Sequence, residues 1–86
     1  MSVDRIEKGM LAKSKAGHDK GKTYIIYKVD ETYVYLVDGI IRKIENPKRK
    51  KQKHIQLICE THDVSGMDDV GIKRVLKLFD KEMRRI

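Results

Sequence analysis

Apolar and polar residues alternate over much of the first sixty positions, and the phase of that alternation marks out short strands. Met10–Lys13 sets Met10 and Ala12 on one face and Leu11 on the other. Tyr24–Val29, YIIYKV, is aromatic and β-branched, a composition that suits a strand. Asp30-Glu31 then makes a tight polar connection to Thr32–Val37, TYVYLV. Tyr33 and Tyr35 fall on one side of that strand and Val34 and Leu36 on the other. The two runs predict an antiparallel hairpin. Asp38-Gly39 is a turn signal between apolar runs. Ile40–Ile44, IIRKI, predicts a further strand with Arg42 outward, ended by Asn46-Pro47. His54–Cys59 predicts the last one, with Ile55, Leu57 and Cys59 alternating against His54, Gln56 and Ile58. Five short strands with polar turns and no helix between them predict a mostly β fold, a small closed barrel over residues 1–60. The lead-in Ser2–Lys8 is expected to tuck Ile6 under the first strand.

The period changes after a polar linker at Glu60–Gly66. Ile72, Val75, Leu76, Phe79 and Met83 recur at helical spacing, so residues 68–86 predict one amphipathic C-terminal helix. Asp68 and Asp69 suit its first turn, as cap or as favourable charge, and Arg84 and Arg85 suit its last. Gly71 weakens the first turn slightly. The apolar stripe is expected to pack on the barrel and cap an open end. A docking helix for a protein partner is the sharper alternative.

Composition adds a partner class. Eighty-six residues make one domain with little room for a deep catalytic cleft. Lys and Arg number 20 against 13 Asp and Glu, a formal charge of +7 with a pI near 9.6. Such a balance calls for a polyanion, either nucleic acid or an anionic membrane surface. The excess is local. Residues 1–46 carry +2 and residues 57–86 are neutral, whereas residues 47–56 hold Lys48, Arg49, Lys50, Lys51 and Lys53 with no acid, for +5. The single cysteine, Cys59, precludes an internal disulfide and fits a reducing compartment. No apolar run approaches the roughly 20 residues that span a bilayer. The N-terminal MSVDRIEKG lacks a signal-peptide core. A cytoplasmic, monomeric protein with no membrane role is expected.

The chemistry concentrates in two segments. Between the first two strands lies a loop with Lys13, Lys15, His18, Lys20 and Lys22, opposed only by Asp19. Gly17 and Gly21 suggest tight backbone with positive φ. Such a turn presents backbone N–H and ammonium groups to phosphates together. Gly9, Gly17, Gly21 and the run Tyr24–Val29 resemble the KOW motif, in which a glycine and an apolar strand lead into a basic, glycine-containing loop and a second apolar strand. The longer series KSKAGHDKGKTYII, then VDG at Val37–Gly39, then PKRKKQKHIQ at Pro47–Gln56, resembles small bacterial KOW-domain RNA-binding proteins. Those are related to a KOW-containing protein class of the archaeal and eukaryotic large ribosomal subunit. The likeness covers about residues 6–57. His18 departs from it, standing where arginine or lysine is expected.

The resemblance implies an SH3-like barrel (a KOW domain) and a ribosomal or ribosome-associated protein that contacts large-subunit rRNA, with ribosomal proteins as neighbours. Lys13, Lys15, His18, Lys20 and Lys22 would supply one part of the contact. Lys48, Arg49, Lys50, Lys51 and Lys53, on a flexible loop, would supply the other, with Arg42, Lys43 and His54 extending it. No base-reading motif is evident, so recognition by shape and phosphate contact is expected. A nuclear-import patch is a weaker reading of the basic run. Tyr24, Tyr27, Tyr33 and Tyr35 are expected to pack in the core or half-bury on the sheet, although an exposed tyrosine can stack on a base. His18, His54, His62 and Cys59 lack the paired spacing of a zinc site, so no metal or other cofactor is expected. Neither a nucleophile–base motif nor a nucleotide-binding loop is present, so an enzyme is not expected. Cys59, inside a strand, is expected to be a small buried hydrophobe. The resemblance also allows a different class, a KOW protein-interaction module of the transcription or translation machinery.

Overall fold

The computed structural model describes residues 5–83, apart from the side chain of Cys59. Five strands are present: β1 (Met10–Ser14), β2 (Thr23–Val29), β3 (Tyr33–Val37), β4 (Lys48–Lys51) and β5 (Ile55–Thr61). A 3₁₀ turn, Gln52–His54, joins the last two, and one helix, α1 (Asp69–Met83), follows. All strand pairs are antiparallel, in the order β4-β3-β2-β1-β5. The sheet curves into a half-barrel, and the fold is a small SH3-like barrel followed by a helix.

Both faces of this sheet are buried. Ala12, Tyr24, Ile26, Val34, Leu36 and Ile55 enclose one core, with Ile6, Met10, Val29 and Leu57 packed against it. Leu11, Ile25 and Val37 point the opposite way and meet Val64 and Ile72 in a second core. Double burial explains why β2 reads as an unbroken apolar run at Tyr24-Ile25-Ile26, all buried, rather than as strict alternation. The expected faces of β1 and β3 are those observed, and in β5 Ile55 and Leu57 face the first core while Ile58 faces the second; His54 belongs to the 3₁₀ turn. The side chain of Cys59 lies outside the described residues, as do Arg84 and Arg85.

Helix α1 packs on the barrel, but it covers the outer face of the sheet rather than closing an open end. Ile72 is fully buried there, and Val75, Leu76 and Phe79 are partly buried. Burying one such side chain stabilises by about 1.5–3 kcal/mol. Met83, at the end of the apolar stripe, is 54% exposed. Asp68 is the cap, its Oδ1 accepting the Gly71 amide at 2.9 Å. Asp69 serves a more distant group, the amide of Ile44, at 2.8 Å. A side chain at Gly71 would strike Met67, so this glycine makes room for the residue that leads into the helix. Strand β5 runs on to Thr61, and Val64, 3% exposed, anchors the connection that follows.

Two strand expectations are also corrected. Ile40–Ile44 is not a strand. Asp38 is buried, and its Oδ1 accepts the amides of Ile40, Ile41 and Arg42 at 2.8, 3.0 and 2.8 Å. Those amides are therefore unavailable to a ladder, and Ile40 and Ile41 stand 59% and 73% exposed on a turn. The fourth strand is instead the basic run. Lys48–Lys51 pairs with β3, in the register Tyr33 with Lys51 through Leu36 with Lys48, and is not a flexible loop.

Candidate nucleic-acid interface

The loop between β1 and β2 closes on itself. The Ser14 amide donates to Lys22 O and the Gly21 amide to Ser14 O, both at 2.9 Å. Gly17 and Gly21 take φ of +84° and +91°, as their spacing suggested. This tight course turns Asp19 inward. Its carboxylate accepts hydrogen bonds from the hydroxyls of Ser14 (2.8 Å) and Tyr24 (2.7 Å), and from Lys50 Nζ at 3.0 Å. Lys48 Nζ pairs with it at 3.1 Å.

Burial alone would raise the pKa of Asp19. The hydrogen bonds from Tyr24, Ser14, Lys50 and Lys48 outweigh that and hold it far below its ordinary value of 3.8. Burial, together with the same bond to Asp19, pushes the Tyr24 hydroxyl well above its ordinary 10.0. A second carboxylate has a parallel role. Asp38 pairs with Lys22 Nζ at 2.6 Å, and although burial opposes it, Lys22 and the turn amides lower its pKa.

The two basic segments are thereby brought side by side. Lys50 Nζ also donates to Ala16 O at 3.0 Å, and the Lys15 amide donates to His54 O at 2.8 Å. The expected site residues fall into two groups. Lys22, Lys48 and Lys50 are held in ion pairs with Asp38 and Asp19, and Lys50 is only 10% exposed at its side chain. Lys13, Lys15, His18, Lys20, Arg49, Lys51 and Lys53 are exposed, and His54 is half-buried. Strand alternation makes the division within β4, where Lys48 and Lys50 turn toward Asp19 while Arg49 and Lys51 face solvent. Arg42, half-buried, reaches close enough to Tyr24 to oppose the rise of its pKa. Lys43 is exposed on the connection that Ile44 ties to α1.

The tyrosines pack as expected. Tyr24 belongs to the first core, and Tyr27, Tyr33 and Tyr35 are half-buried on the sheet. Each has a cation over its ring, and the closest is the Arg49 guanidinium, 4.5 Å from the centroid of Tyr33. Lys28, over Tyr35 at 5.3 Å, was not among the expected contact residues, and a single lysine in a strand gives no signal for one. The structural role of Asp19 did have a signal, as the lone acid among five basic or titratable side chains.

His62 Nε2 lies 2.6 Å from Glu60 Oε2. Among the described residues no three His, Cys, Asp or Glu side chains converge as a metal site, and no helix is long and apolar enough to cross a membrane. No protein-family model matches the chain, and no curated protein matches it either.

Proposed function

We propose that this chain is a non-enzymatic RNA-binding protein that holds structured RNA through the joined surface of the β1–β2 loop and the β4–β5 segment. The observation that carries the reading is the sorting of the cations. Asp19 and Asp38 occupy the inner lysines, while Lys15, His18 and Lys20 on the loop and Arg49, Lys51 and Lys53 beyond it remain in water. The inner pairs fix the frame, and the outer cations are available to displace counterions from phosphates. The likeness to KOW-domain proteins adds the target class, large-subunit rRNA, and a ribosomal or ribosome-associated cytoplasmic role.

The test compares three double variants with the parent protein on an rRNA hairpin over a range of salt. Lys15→Gln/Lys20→Gln and Lys51→Gln/Lys53→Gln are expected to keep the fold and weaken binding. For each cation removed, the slope of log K against log salt becomes shallower by about 0.7–0.9. Lys48→Gln/Lys50→Gln is expected to lower stability more than it changes the slope. Unchanged affinity and slope in both outer variants would overturn the reading. The weight would then pass to protein binding at Ile40 and Ile41, which with Leu76 line a cavity of about 400 Å³.

A further inference from the structure

The outer face of the sheet is divided. Helix α1 covers the part built from Leu11, Ile25 and Val37. The rest carries rings and cations in register. Lys28, Tyr35 and Arg49 lie directly opposite one another across β2, β3 and β4, and Tyr33 lies opposite Lys51 in the same β3–β4 pairing. A bulge between Ile26 and Lys28 creates this row, because it shifts the register and brings Lys28 opposite Tyr35. Lys28, Arg49 and Lys51 are all exposed.

The rings are held before any ligand arrives. Asp30 Oδ1 accepts the amides of Thr32 and Tyr33 at 2.9 and 2.7 Å, and its Oδ2 accepts the Tyr35 hydroxyl at 3.1 Å. Arg49 reaches diagonally, with its guanidinium 4.5 Å from the centre of Tyr33, and its charge is near enough to Tyr35 to oppose the rise of that hydroxyl's pKa. A guanidinium plane seated on a ring has a second face, and that face accepts a base. Because the pieces are already ordered, little freedom is lost when one stacks. A paired base hides its faces within the helix and cannot use such a surface.

We propose that Tyr33, Tyr35 and Arg49 form a stacking platform for one unpaired nucleotide of RNA, with Lys28 and Lys51 taking the flanking phosphates. This rests on the RNA-binding reading and specifies the RNA: a helix interrupted by a bulged or looped-out base. The loop and β4–β5 cations hold the helical part, and the platform supplies the preference for the interruption.

The experiment uses the full chain and two RNA hairpins that differ by one bulged 2-aminopurine. Affinity and fluorescence are read for the parent, Arg49→Lys, Tyr33→Leu and Lys15→Gln/Lys20→Gln, with circular dichroism to verify folding. The parent is expected to favour the bulged hairpin by about tenfold or more, as stacking of one base implies, and to quench the 2-aminopurine. Arg49→Lys keeps its charge and salt slope but loses the preference and the quenching. Tyr33→Leu behaves in the same way. Lys15→Gln/Lys20→Gln weakens both hairpins equally. If the parent binds both hairpins alike, or Arg49→Lys retains the preference, the platform is overturned and the RNA-binding reading stands. If the parent binds neither hairpin, both fall.

Discussion

Asp19 shows how one residue can set the role of its neighbours. In a loop of cations it is the single acid, and it is the group that fixes the loop to β4 through Lys48 and Lys50. Replacing it with asparagine keeps the size and removes the charge, leaving two ammonium groups close together without a counter-charge. Asp19→Asn is expected to lose about 3 kcal/mol of stability, as removal of one partner from a largely buried ion pair does. Urea unfolding measures this as a lower midpoint at an unchanged m-value. On the proposed RNA-binding reading, its affinity for RNA, measured below the unfolding transition, is expected not to fall, since the variant gains net positive charge. A loss of affinity at intact fold would mean that Asp19 shapes the contact surface itself.

At the scale of elements, the strands with aromatic and β-branched residues were legible because composition and burial agree in them. Tyr24–Val29 and Tyr33–Val37 form strands under any tertiary arrangement that offers them a core. Two segments were misread for opposite reasons. Ile40–Ile44 has strand composition, but the Asp38 carboxylate takes three successive amides and folds it into a turn. Lys48–Lys51 has poor strand composition, yet β3 offers a ladder and Asp19 offers the charge that lets two lysines face inward. In both cases a carboxylate outweighed local propensity, in β4 through a partner 29 and 31 positions away. The turn at Asp38 also seats the helix. Gly39, at φ +78°, lies so close to α1 that an added Cβ would overlap the Asp69 carbonyl oxygen. Gly39→Ala is expected to lose about 3 kcal/mol, against about 1–2 for Gly21→Ala, where only backbone strain arises. Equal losses in thermal unfolding would show that the turn and helix separate easily.

At the scale of the molecule, one curved sheet supports two cores, and the shielded carboxylates of Asp19 and Asp38 link its stability to pH. Asp19 and Asp38 both have pKa values below the ordinary 3.8 in the fold. Their contribution is complete above that value and is lost as pH falls through the lower folded values. The melting temperature is therefore expected to be level from about pH 5 to 8 and to drop below about pH 4. Asp19→Asn should flatten the drop, and an acid limb as steep as the parent's would assign it to other groups. The position of β4 has one more consequence. It is the last strand in the sheet order, so among the described residues one side of its backbone has no ladder partner. Such a row of open N–H and C=O groups is a template for strand addition and aggregation, and charged side chains, lysine above all, are a common safeguard. All four residues of β4 are cationic. Two copies meeting edge to edge would bring the exposed Arg49 and Lys51 of one against those of the other, so like charge opposes the addition of a second barrel at this edge.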